Sequence, residues 1–170
     1  MQKKTSLKSA MARKYPEAVV LVTTGDAKGR TNVMAVGWYA AVSLDPPMLM
    51  LVIDDEAFTY AMIRKTRQFI VAFPSVTMAK QVLFAGSHHG HRRDKIKECG
   101  LRTQPAAKVR APLLTDAAAN FECELVKVYR PGDCPLLVGK IIAAHENTKR
   151  AVKRVYVVGP DYKMRGIKPA

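Results

Sequence analysis

Cysteine, aromatic residues and acidic residues are all scarce in this chain, and each scarcity excludes something. Only three cysteines occur in 170 residues, Cys99, Cys123 and Cys134. Their number is odd and their spacing fits neither a disulfide framework nor a zinc site, so a reduced, cytoplasmic protein is expected. The longest unbroken apolar stretch, residues 48–53 (MLMLVI), is strand-length and too short to span a membrane. The polar opening MQKKTSLKSA predicts no secretory leader. Catalytic signatures are missing too: there is no G-x-G-x-x-G, P-loop, H-E-x-x-H, C-x-x-C or G-x-S-x-G. Acids number 14 against 28 Lys and Arg, a formal net charge of +14, which points to an anionic ligand or partner.

What is present has ordinary globular composition, 48% hydrophobic and 25% charged, enough for one domain with its own core. Residues 18–24 (AVVLVTT) form a β-branched run closed by the turn residues 25–29 (GDAKG). A long strand is predicted over residues 30–43, stopped by Pro46-Pro47, with a buried strand over residues 48–53. Thr59 opens a short helical segment, and residues 69–73 read as a strand ended by Pro74. Ser75 is placed to cap a helix burying Val76, Ala79, Val82 and Leu83, and Asp94 to cap a second short helix before Gly100. Residues 104–115, with two prolines, look irregular. From residue 120 the pattern returns to strand. Phe121, Cys123 and Leu125 alternate with Glu122 and Glu124 as in a half-exposed strand, and a change of parity at Val126 and Val128 predicts a bulge. A turn at 131–133, a returning strand from Leu136 and a last short strand over residues 155–158 complete the reading. Strands dominate without β-α-β alternation, so an antiparallel barrel with inserted helices is expected. The domain is placed at residues 15–160, between basic tails at 1–14 and 161–170.

Several side chains invite a chemical role. His88, His89 and His91 crowd one loop, but nothing nearby fixes their orientation, and a solvated basic loop running into Arg92 and Arg93 is the simpler reading; no metal is expected. His145 stands alone at the end of a strand, and Cys134 has no neighbour to lower its pKa. The lone Trp38 suits packing or a subunit contact as well as stacking. A nucleic-acid-binding barrel would interleave aromatics with basic residues on one sheet face. Here aromatics are 7% and the basic residues gather in the tails, Lys3, Lys4, Lys8, Arg13 and Lys14 at one end and residues 149–168 at the other, so that class is disfavoured.

The informative block is residues 31–47, TNVMAVGWYAAVSLDPP. With the valine-rich run before it and the turn glycine Gly29, its Asn32, Met34, Trp38, Val42-Ser43 and Pro46-Pro47 resemble the flavin reductase-like proteins, flavoredoxins included. Further matches follow in order: Thr59 and Ile63, Phe69 and Val71, Asp94-Lys95-Ile96, Gly100-Leu101, Pro112, residues 121–125 and Gly132-Asp133 with Gly139. The resemblance covers about residues 15–160. It implies an FMN-binding split β-barrel that accepts hydride from NAD(P)H and passes electrons to free flavin, a metal complex or a protein partner. A flavoredoxin-type carrier without a nicotinamide site is the alternative. It also implies a homodimer with flavin near the interface, and no catalytic acid, base or nucleophile, because the flavin carries the chemistry. The small residues Ala35, Gly37, Ala40 and Ala41 suit close approach of main chain to a flat cofactor.

By the same resemblance the cofactor contacts are Asn32, Val33, Met34, Ala35 and Trp38, with Ser43 and Leu44 against the ring and ribityl chain, Thr59 near the phosphate, and the loop opening at Ser87 beside it. The family often carries His and Arg where this chain has Glu56 and Ala57, so Arg92, Arg93 and Lys95 are the expected phosphate cations.

Overall fold

The computed structural model describes residues 1–149 and 152–167. A short helix α1 (Leu7–Met11), capped by the Ser6 hydroxyl, buries none of its side chains. The chain then enters β1 (Glu17–Ala18), β2 (Val20–Gly25), β3 (Thr31–Val36), β4 (Tyr39–Leu44), β5 (Pro47–Val52), α2 (Phe58–Thr66) and β6 (Gln68–Phe73). After a single 3-10 turn come α3 (Ala79–Ser87), α4 (Lys95–Glu98), β7 (Thr103–Gln104), β8 (Leu113–Leu114), β9 (Ala119–Tyr129), β10 (Leu136–Glu146), β11 (Arg154–Gly159) and β12 (Lys163–Ile167).

Seven strands form one sheet in the order β3-β2-β6-β9-β10-β5-β4, every pair antiparallel. Its two edges, β3 and β4, are consecutive in sequence and joined only by Gly37 and Trp38. A sheet whose opposite edges meet at a two-residue link has curled through most of a turn. The result is a barrel left open at that seam, as expected for the class. The predicted single strand over residues 30–43 is therefore two strands, broken where the chain crosses the seam. Pro46 and Pro47 do not stop a ladder but turn a hairpin, with Leu44 opposite Pro47.

The barrel interior is filled by side chains such as Val22, Leu51, Phe69 and Leu137, with Ile63 of α2 packed among them. A second core lies on the outer face of β2 and β3, where Leu21 and Val33 meet Val82 and Ala85 of α3 and Val155 of β11. Because β2 is covered on both faces, all six of its residues are buried and its pattern does not alternate. Gly139 of β10 makes room for Phe69: a Cβ there would lie 2.3 Å from the ring.

Other expectations are corrected. Ser75 precedes the 3-10 turn and bonds to the Thr77 hydroxyl instead of capping a helix, and Met78, Val82 and Ala85 are buried while Val76 and Leu83 are exposed. The segment read as irregular, residues 104–115, includes strand β8 paired with β7, and its Val109, Ala111 and Leu113 pack with Ile70. Glu122, expected on the wet face of β9, is fully buried. The bulge is present: Val138 pairs with Lys127 and Gly139 with Leu125, leaving Val126 as the extra residue. Finally, β11 is not the last strand. β12 follows it in a three-stranded sheet, β1-β11-β12, so the segment read as a basic tail from residue 161 is structured through Ile167. Arg150 and Lys168 of the basic run lie outside the described residues.

Candidate functional site

The pleat of β3 sends Val33 and Ala35 toward α3 and presents Asn32 and Met34 to the opposite side. There they meet the first turn of α2 and the loop after α3, around a groove of about 400 Å³ lined by Asn32, Met34, Thr59, Ser87, His88 and Lys95 among others. Asn32, 1% exposed, donates through Nδ2 to Thr59 Oγ1 at 2.8 Å. Its Oδ1 and the Oγ1 of its cross-strand neighbour Thr24 are buried without hydrogen-bond partners among the described residues. Such atoms are costly unless something else satisfies them. Gly90 lies over Asn32, and a Cβ on it would be 2.2 Å from Oδ1.

Two cations shape the loop. Lys95, 3% exposed, donates from Nζ to Ala85 O at 2.9 Å and His88 O at 2.8 Å. No carboxylate pairs with it among the described residues, and burial lowers its pKa to about 8. On the other flank Arg30 stacks over Phe58 at 4.1 Å and donates to the carbonyls of Gly90, at 3.2 Å, and His91. With these four carbonyls engaged, the amide N–H groups of residues 89–93 have no acceptor among the described residues. A buried ammonium, free amides, a hydroxyl and an orphaned amide oxygen together suit a ligand with an anionic end and hydroxyl groups.

The three loop histidines do not converge. His88 stacks on Phe84 at 4.0 Å, and His91 lies against Phe58 at 5.1 Å. Among the described residues no group of three or more His, Cys, Asp or Glu is placed to hold a metal ion.

Residues 11–160 match the Flavin reductase like domain family. The chain belongs to the flavin reductase-like family. Of its relatives, an uncharacterised protein of Pyrococcus abyssi is 36% identical over 129 residues, 76% of this chain and 73% of that one. An NADH-dependent FAD reductase of Streptomyces globisporus is 28% identical over 138 residues, covering 76% and 70%. The fold superimposes on the flavoredoxin of Desulfovibrio vulgaris (Miyazaki F) with a TM-score of 0.85 and 23% identity, covering 99% of this chain and 95% of that one.

Within this flavin reductase-like chain the fold gathers five of the expected contacts, Asn32, Met34, Thr59, Ser87 and Lys95, around the groove. Val33 is in the core, and Ala35 sits on the α3 side of its strand. Trp38, Ser43 and Leu44 lie at the open seam and line none of the groove; Trp38 is 54% and Leu44 91% exposed. Arg92 and Arg93 are not brought to it either. Both are exposed, and Arg93 pairs with Glu98 at 3.4 Å. Sequence reading passed over Arg30, Phe58 and Gly90. A cation directly after a turn glycine looks like hairpin decoration, and only the barrel brings it against a loop sixty residues on.

Away from the groove, His145 Nε2 lies 2.6 Å from Glu122 Oε1. The same carboxylate accepts the N–H groups of Ala107, Lys108 and Val109. Burial pushes the Glu122 pKa up, but the three amides and His145 outweigh it and hold it below the ordinary 4.5. Cys134 has its thiol pKa raised, by desolvation first and by nearby Asp133, which makes it a poor nucleophile.

Proposed function

We propose that this chain binds FMN in the groove under the His88–His91 loop, takes reducing equivalents from NAD(P)H and delivers them to free flavin, a metal complex or a partner protein. One observation carries the reading: a buried ammonium without a carboxylate, beside an unpartnered amide oxygen, in the groove of a flavin reductase-like barrel. These residues fit FMN. Lys95 and the free amides of residues 89–91 would hold the phosphate, and Asn32 and Thr59 the hydroxylated chain. When bound, FMN supplies the hydride-accepting and electron-passing chemistry. The protein then needs no acid, base or nucleophile. Its tasks are to bind, to orient, and to keep one face accessible to the nicotinamide.

The seam supports a homodimer with the flavin near its interface. Trp38, Val42 and Leu44 are all exposed on or beside edge strand β4, an apolar strip that a second copy of the chain would cover. The Streptomyces relative, an NADH-dependent FAD reductase, supports an enzyme over a carrier.

The test titrates flavin-free protein with FMN, followed by flavin fluorescence, and then assays NADH and NADPH oxidation with excess free flavin. Saturable binding with turnover on one nicotinamide is expected. Binding without turnover assigns the electron-carrier role, and no binding overturns the reading.

A further inference from the structure

The basic run that opens at Lys149 has no part in the flavin groove, yet two of its lysines line another cavity. This cleft, of about 620 Å³, lies between the segment after β6, the turn joining β8 to β9, and the chain passing from β10 to β11. It shares no lining residue with the groove under the His88–His91 loop. Its size falls within the roughly 300–1,000 Å³ of small-molecule sites.

The walls are fixed from several sides. Val76 N–H donates to Lys153 O at 2.8 Å and Val155 N–H to Pro74 O at 3.1 Å, which pins the start of β11 to the segment after β6. Asn147 donates through Nδ2 to Ala117 O at 3.0 Å, tying the end of β10 to the β8–β9 turn. Its Oδ1 accepts the Lys149 N–H at 3.0 Å and so sets the path of the chain there.

Charge and donors both favour an anion. Asp116 is the one carboxylate among the lining residues, and Arg102 already takes both of its oxygens through Nε and Nη2. The remaining guanidinium N–H groups are left over. Lys149 and Lys153 pair with no carboxylate among the described residues. Three cations against one acid give the cleft a net charge of +2. On the facing wall the hydroxyls of Ser75, only 4% exposed, and Thr77 lie 2.8 Å apart. One hydroxyl proton serves that bond, and the other has no acceptor among the described residues.

From the surplus cations, the spare hydroxyl and guanidinium donors and the size of the space, we infer that this cleft binds a phosphate-bearing small molecule. Lys149 and Lys153 supply the counter-charge, and the Ser75–Thr77 pair supplies a hydrogen bond to a phosphate oxygen. The inference goes beyond the flavin reading and does not depend on it.

The experiment titrates the flavin-free full chain with pyrophosphate by calorimetry. Saturable binding that weakens as salt rises is expected. The double variant Lys149→Gln, Lys153→Gln changes two exposed side chains, so the fold is kept, and it should weaken pyrophosphate about ten-fold or more. Ser75→Ala, checked for folding by circular dichroism, should weaken it about three-fold. Lys163→Gln removes an equally exposed charge of β12 outside the cleft and should change nothing. ADP binding more tightly than pyrophosphate, with adenosine silent, assigns a nucleotide as the occupant; equal affinities assign the phosphates alone. Pyrophosphate binding should persist in Lys95→Met, and the double variant should keep its FMN affinity. Absence of saturable binding, or an equal loss in Lys163→Gln, overturns the inference. So does binding that survives the double variant but is lost in Lys95→Met, which would place the anion in the flavin groove. A protein that takes pyrophosphate at the cleft but no FMN keeps this site and sinks the flavin reading, and the converse sinks the cleft alone.

Discussion

Lys95 keeps an ammonium group almost out of water with only two carbonyls as partners. Its folded pKa, about 8, is below the ordinary 10.5, so the folded state binds fewer protons between those values. Stability of the flavin-free protein therefore rises with pH across that window, as the cost of the buried charge is released. Binding of an anion works in the opposite direction. It favours the protonated form, so affinity for FMN should be highest below pH 8 and fall as pH rises above it, by up to about ten-fold per unit. Lys95→Met should weaken FMN binding and flatten that slope, while Lys95→Arg should retain a charge that no longer titrates. Isothermal titration across pH 6–10 checks all three. A slope that survives in Lys95→Met would remove Lys95 from the phosphate's counter-charge. At the same scale Gly90→Ala should abolish FMN binding with the fold intact by circular dichroism, because the added methyl collides with Asn32 Oδ1.

At the scale of elements, β9 holds the excursion of residues 104–112 through a single side chain. Glu122 gathers three consecutive amides, those of Ala107, Lys108 and Val109. Glu122→Ala orphans those amides and leaves His145 without its partner. The expected loss is about 3–5 kcal/mol in urea unfolding, with new proteolytic cleavage between residues 104 and 112. Because the native carboxylate has a lowered pKa, its contribution is present near neutrality and is lost as pH falls below 4.5. The Val126 bulge on the same strand was readable as a change of parity. The burial of Glu122 was not, since an alternating Glu signals a wet face unless a distant segment folds over it.

For the whole molecule, the proposed homodimer is tested at the open seam. A substitution Leu44→Asp places a charge in the apolar strip without touching either core, since Leu44 is 91% exposed. Sedimentation should show a dimer for the unaltered protein and a monomer for the variant, with weaker FMN binding if the interface borders the flavin. A monomer in both cases would refute the proposed homodimer. The excess of 14 positive charges is spread differently from the expectation of two tails. Lys163 and Arg165 belong to β12, a strand of the small sheet, and present their charge from a fixed edge. Among the described groove-lining residues Lys95 is the only lysine or arginine, so most of the surplus serves the surface.

By itself the sequence determined the barrel class, most strand positions, the bulge and the family, because these depend on local periodicity and on an ordered run of short motifs. It also named five residues that meet at the groove. Tertiary structure alone decided that one predicted strand is two, since crossing a seam leaves no local mark beyond a glycine. It decided that Lys95 and not Arg92 or Arg93 enters the groove, although all three lie within four positions of one another. The reason is directional: Lys95, at the start of α4, is packed inward against the C-terminal end of α3, while its neighbours in the loop face water.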